Sequence, residues 1–188
     1  MIISIRGTNG AGKSTLVRQI MDHFVLTGGT VTAISYPAEE NKRKPMGYIC
    51  SRVIGGGDQG LFVVGHYEIP NGGIDTVPSL AYAYELALGH HELGMDVIME
   101  GKNFTEPLTW ILEQHQNKLD IRVVLIDIPV EQCIEAVRAR GHKIREETIV
   151  TLHAKSHVQF NVFQEAGVRA FKGTRQQCLK EVQSWLKE

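Results

Sequence analysis

The sequence predicts an α/β domain of three layers, built on a parallel sheet of about five strands. Three observations predict it. Short apolar runs alternate with segments of helical period, a glycine-rich loop joins the first run to the first helix, and no repeat or linker divides the 188 residues. Residues 1–188 therefore read as one domain.

Ile2 to Ile5 is an apolar run closed by Gly7, as expected of a buried strand. From Lys13, apolar residues recur at Leu16, Val17, Ile20, Met21 and Phe24, the spacing of one helix face, and Thr27-Gly28-Gly29 ends it. Thr30 to Ser35, Met95 to Met99, Ile121 to Ile126 and Val168 to Phe171 read as further strands. Helical patterns cover Val77 to Leu93, Glu106 to Gln116, Glu131 to Arg140, Glu147 to Gln164 and Thr174 to Trp185. Strands alternating with helices imply a parallel sheet covered on both faces, with ligands held at the carboxyl ends of its strands.

Residues 37–78 break that rhythm with eight glycines and no helical period. Cys50 to Ile54 and Leu61 to Val64 flank Gly55-Gly56-Gly57-Asp58-Gln59-Gly60, which predicts a β-hairpin followed by a loop from Tyr67 to Pro78. A long insertion between a strand and the next helix is more often functional than decorative.

Composition narrows the function classes. The formal net charge is −1, so no global field draws the chain to nucleic acid. Local clusters remain at Lys42-Arg43-Lys44 and at Arg138, Arg140, Lys143 and Arg145. No run approaches the length of a membrane span, and the N-terminus runs into the glycine-rich loop without space for a signal peptide. Three unpaired cysteines (Cys50, Cys133 and Cys178) fit reduced thiols in a cytoplasmic compartment.

Gly7-Thr8-Asn9-Gly10-Ala11-Gly12-Lys13-Ser14 matches G-x-x-x-x-G-K-[ST] between a strand and a helix. Glycines let the backbone curl so that its N–H groups form an anion nest, and the helix start adds its positive dipole end. Residues Gly7 to Thr15 are the expected ATP contacts, with Lys13 on the β/γ oxygens and the Ser14 hydroxyl on Mg²⁺. The fold expectation becomes a P-loop NTPase domain. The motif alone does not separate a kinase from a nucleotide-dependent switch or ATPase.

Glu100 ends the strand that follows the insertion, a position near the mouth of the loop. A carboxylate there suits Mg²⁺ binding or acceptance of a hydroxyl proton. Further on, Ile126-Asp127-Ile128-Pro129-Val130-Glu131 leads into Arg138-Ala139-Arg140-Gly141. With these features the sequence resembles the deoxynucleoside and thymidylate kinase group of P-loop kinases, over most of the chain outside residues 37–78. In that group the strand ends in a proline-glutamate turn, and the helix after it runs into an arginine-rich lid.

The resemblance implies that Arg138 and Arg140 close over the phosphates, and it leaves Asp127 as a structural strand-end residue. Glu100-Gly101-Lys102 stands where the group carries an acidic-basic pair, with Lys102 in place of its arginine. Glu39 and Glu40 lie where deoxynucleoside kinases place their base, without that group's glutamate-proline order.

The segment Val64-Gly65-His66-Tyr67-Glu68-Ile69-Pro70-Asn71-Gly72-Gly73-Ile74-Asp75-Thr76 is similar to one in bacteriophage P-loop kinases, the 5-hydroxymethyldeoxyuridine (5-hmdU) DNA kinases. That likeness implies a hydroxyl acceptor on a modified pyrimidine in DNA, ATP as donor, and a host-cytoplasmic setting. A deoxynucleoside monophosphate kinase is the alternative. Two readings of the segment stand side by side. In one, Tyr67 stacks on the acceptor and Asp75 binds it; in the other, Asp75 and Thr76 cap the next helix.

His153 and His157 stand four apart on a predicted helix. Without a third ligand at matching spacing, or the H-E-x-x-H order, they read as a surface or core pair.

Overall fold

β1 (Ile2–Arg6) is buried at every position and takes a central place in the sheet. The computed structural model describes the chain except residues 38–43, 55–56, 69–71, 102–104 and 142, and the side chains at 54, 58, 105 and 106. The remaining strands are β2 (Thr30–Ser35), β3 (Pro45–Ile54), β4 (Gly57–Val64), β5 (Asp96–Glu100), β6 (Ile121–Ile126) and β7 (Arg169–Gly173). The helices are α1 (Lys13–Leu26), α2 (Leu80–Glu92), α3 (Thr105–Gln116), α4 (Val130–Ala139), α5 (Glu146–Glu165) and α6 (Arg175–Trp185).

The sheet has seven strands in the order β2-β3-β4-β5-β1-β6-β7. β4, β5, β1, β6 and β7 run parallel, while β2–β3 and β3–β4 are antiparallel. The expected parallel sheet of about five strands is therefore corrected to a mixed sheet of seven. The predicted hairpin forms, and it supplies the difference. Leu61, Phe62, Val63 and Val64 have no exposed surface, so β4 takes the seat beside β5 that is covered on both faces. β2 alternates Thr-Val-Thr-Ala-Ile-Ser and is largely exposed, a pattern suited to the outer edge where it pairs with β3.

Two apolar clusters lie on opposite faces. One joins Ile3 and Ile5 of β1 to Leu16, Val17, Ile20 and Phe24 of α1 and to Cys178, Val182 and Trp185 of α6. The other joins Ile2, Val97 and Met99 to Ala83, Tyr84 and Ala87 of α2 and to Trp110 and Ile111 of α3. Tyr84 stacks on Trp110 at 4.3 Å between ring centres. Among the described residues no helix is long and apolar enough to cross a membrane.

The consequence for function lies at one end of the sheet. Ile5 is in register with Glu100, and Arg6 with Leu125. The carboxyl ends of β1, β5 and β6 thus meet where the glycine-rich loop begins.

Candidate active site

The loop between β1 and α1 bends tightly. Gly10 has φ +87°, and a Cβ there would lie 2.2 Å from the Cys133 carbonyl oxygen of α4. Any side chain would drive the loop off that helix, which explains the glycine. Ala11 and Thr8 are buried, and the Thr8 hydroxyl donates to the Ile149 carbonyl at 3.4 Å, joining the loop to the first turns of α5. Arg175, the first residue of α6, brings its guanidinium alongside Gly12.

Lys13 opens α1 and folds back over the loop. Its ammonium donates to the Gly7 carbonyl at 3.0 Å and to the Thr8 carbonyl at 3.2 Å. Burial lowers its pKa, opposed by the negative charge of Glu100. Ser14, the next residue, donates its hydroxyl to Glu100 Oε2 at 2.8 Å. Burial raises the Glu100 pKa, against the pull of Lys13, the Ser14 hydrogen bond, Arg18 and Arg140. The carboxylate is held by cations yet kept more basic than an exposed glutamate, a balance suited to proton acceptance.

The segment after β4 forms the far wall. Tyr67 is only 2% exposed and packs in the core cluster, which corrects the stacking expectation because no ring face is open. Its ring lies 6.4 Å from that of Tyr48, and its backbone N–H donates to the Tyr48 hydroxyl at 3.2 Å. The buried Tyr67 hydroxyl has no hydrogen-bond partner among the described residues, and burial followed by the nearby Glu100 charge pushes its pKa well up. Arg18 Nη1 donates to the Tyr67 carbonyl at 3.1 Å and joins α1 to this wall. Gly73 (φ +95°) lies so close that a Cβ would fall 2.7 Å from Glu100 Oε2 and 3.3 Å from the Tyr67 hydroxyl.

Thr76 fixes the segment by accepting from the His66 N–H at 2.8 Å and donating to the Gly73 carbonyl at 2.6 Å. The capping reading is corrected. Ser79 caps α2 by accepting from the Tyr82 N–H, because Pro78 delays the helix start beyond Thr76.

Among curated proteins, the 5-hmdU DNA kinase of Pseudomonas phage PaMx11 is 32% identical over 144 residues, covering 74% of this chain and 68% of that protein. The chain belongs to the 5-hmdU DNA kinase family. No family profile matches it. Among solved structures, the deoxyadenosine kinase of M. mycoides with bound dATP is similar at a TM-score of 0.47 and 14% identity, each chain covered in full. The same kinase with dCMP and a flexible dCDP gives 0.43 and 15% identity, covering 100% of this chain and 98% of the other.

In this family member, Gly7 to Thr15, Glu100 and Tyr67 converge at one end of the sheet. Asp75 lies exposed in a 3-10 turn (Ile74–Thr76). Arg138 is exposed and paired with Glu146 at the start of α5. Arg140, at the end of α4, is also exposed, and its charge reaches both Lys13 and Glu100. Glu39, Glu40 and Lys102 lie outside the described residues.

Three basic residues join the site without a signal in the sequence. Arg18 stands one turn beyond Ser14 on α1. Arg175 flanks the glycine-rich loop. Arg6 is 3% exposed, donates to Gln159 at 3.2 Å, and leaves Nη1 beside Gly101 without a partner among the described residues. Burial lowers its pKa to about 10. A strand-end arginine and a mid-helix arginine carry no motif, so only the fold reveals them.

Proposed function

We propose that this protein transfers the γ-phosphoryl group of ATP to the hydroxymethyl group of 5-hmdU in DNA. Membership of the family supports the reaction and its acceptor. The observation that carries the site is the 2.8 Å contact of Ser14 with Glu100 at the mouth of the loop, facing Gly73 and Tyr67.

The loop residues Gly7 to Thr15 hold the triphosphate, with backbone N–H groups and the start of α1 directed at its charge. Lys13 exchanges its two carbonyl partners for phosphate oxygens, trading neutral acceptors for ionic ones. Ser14 and Glu100 also fit Mg²⁺. Two hard oxygen donors 2.8 Å apart match the roughly 2.9 Å between neighbouring ligands around an octahedral ion with ~2.05 Å bonds. Bound there, Mg²⁺ supplies neutralisation of phosphate charge.

On the acceptor side, Glu100 takes the proton of the hydroxymethyl group as its oxygen attacks phosphorus in line with the departing ADP oxygen. Before Mg²⁺ binds, burial keeps this carboxylate more basic than an exposed glutamate. Tyr67 and Gly73 set the acceptor pocket, the first with an unengaged hydroxyl and the second by close backbone approach. Arg140 closes over the transferring group and spreads its charge, while Arg138 holds the segment to α5. Within a duplex the hydroxymethyl group is either reached from the major groove or presented by flipping the base, the latter at a cost of a few kcal/mol.

The test is phosphoryl transfer from γ-labelled ATP, with DNA containing 5-hydroxymethyluracil, unmodified DNA and free deoxynucleotides offered in parallel. Label entering only the modified DNA supports the proposal. Label entering free deoxynucleotides with the DNA inert assigns the nucleotide-kinase reading instead. ATP hydrolysis with no phosphorylated acceptor assigns the switch or ATPase reading.

A further inference from the structure

Beside the start of the glycine-rich loop, where Gly7 packs against Ile126, the end of β6 and the middle of α5 bring three ligating side chains together. Asp127, His153 and His157 each offer one ligand atom, and these atoms lie within 4.8 Å of one another. His157 Nε2 is 3.2 Å from Asp127 Oδ1, and the two imidazole rings are 4.8 Å apart between centres. The sequence places only the histidines together, one helical turn apart. The third group arrives through the fold, because β6 ends beside α5, so the expectation of a mere surface or core pair does not cover this cluster.

Two neighbouring ligands of a tetrahedral ion with bonds near 2.0 Å stand roughly 3.3 Å apart, close to the His157–Asp127 separation. Imidazole and carboxylate together suit Zn²⁺, whereas Mg²⁺ prefers oxygen ligands and retains its waters. The His153 ring is already oriented, since its Nε2 lies 3.0 Å from the Ile128 carbonyl. A carbonyl only accepts, so Nε2 carries the proton, and in the neutral ring the other nitrogen keeps its lone pair. Such outer partners orient a ligating histidine. All three residues are half-buried, which limits the conformational freedom they lose on binding and leaves a side open to exchange.

We propose that Asp127, His153 and His157 bind a divalent transition-metal ion, Zn²⁺ by donor set, that fastens α5 to the end of β6. The consequence reaches the phosphate site. His153 stands one turn beyond Ile149, whose carbonyl accepts from Thr8 of the loop, and Glu146 at the start of the same helix holds Arg138. A bound ion stiffens the helix that flanks the loop and anchors the arginine segment.

The full chain, stripped with chelator, is titrated with Zn²⁺ and Co²⁺ by calorimetry and visible absorption. One ion per chain is expected, with a Co²⁺ ligand-field band that Zn²⁺ displaces and a rise in Tm on Zn²⁺ addition. His157→Ala and Asp127→Asn each weaken binding by about tenfold or more and remove the Tm rise. Circular dichroism checks their folding, and His91→Ala leaves binding unchanged. The proposal is overturned by the absence of saturable binding, or by binding that persists undiminished in both His157→Ala and Asp127→Asn.

Discussion

Ser14 and Glu100 meet hydroxyl to carboxylate at 2.8 Å, joining the first turn of α1 to the end of β5. The contact gives Glu100 a fixed position between the glycine-rich loop and the wall formed by Tyr67 and Gly73. Replacing it with glutamine keeps a hydrogen-bond acceptor for Ser14 and removes the base. Glu100→Gln is expected to lower kcat by about 10²–10⁴ with a smaller change in KM for ATP, measured by steady-state transfer. A variant within a few-fold of wild type would exclude Glu100 as the base.

The pH profile follows from the same carboxyl. Burial raises its pKa above the ordinary 4.5. The ionised form accepts the proton, so activity is present above the raised pKa and is lost as pH falls through it. The acid limb of kcat/KM is expected above the ordinary glutamate range and absent from the residual activity of Glu100→Gln. A limb at or below 4.5 contradicts the assignment.

Lys13→Ala is expected to reduce transfer by roughly a thousandfold or more, with the circular dichroism spectrum retained. Among the described residues the ammonium donates to two loop carbonyls, so its loss removes little that holds the fold. Near-normal turnover would rule out its phosphate role.

Tyr67→Phe separates stability from function. The hydroxyl is buried without a partner among the described residues, and removing such a group is expected to stabilise by about 1 kcal/mol, a Tm rise of about 2–4 °C. If the hydroxyl meets the acceptor, KM for modified DNA rises in the same variant. A lower Tm with unchanged KM would show that Tyr67 serves packing alone.

Gly73→Ala tests the acceptor wall from the backbone. The new methyl meets Glu100 at 2.7 Å and forces a left-handed φ on alanine. A loss of about tenfold or more in kcat is expected, together with a destabilisation of about 1 kcal/mol, read by thermal melts. Unaltered kinetics would mean that Glu100 can move without cost.

Contiguity decided what could be read from the chain. The P-loop is a local motif whose eight residues sit between a strand and a helix, and Glu100 was legible as a strand-end carboxylate. The hairpin was legible from its glycine-rich turn, but its seat was not. Leu61 to Val64 carries the apolar pattern of a central strand, while the neighbouring turn suggests a separate excursion. Arg6, Arg18 and Arg175 are single basic residues in ordinary surroundings, and only tertiary packing brings them to the site. Asp127 joins His157 across the whole of α4, a distance no spacing rule spans.

The sheet joins two territories along a single seam, the pairing of β4 with β5 at Leu61–Asp96, Phe62–Val97 and Val63–Ile98. One territory carries the glycine-rich loop and Glu100, and the other, β2-β3-β4 with the segment behind it, is the side to which the proposed function assigns the acceptor. That layout makes the outer unit an exchangeable cartridge. A graft there has to keep the three seam pairs, the Arg18–Tyr67 contact and the approach of Gly73 to Glu100 together.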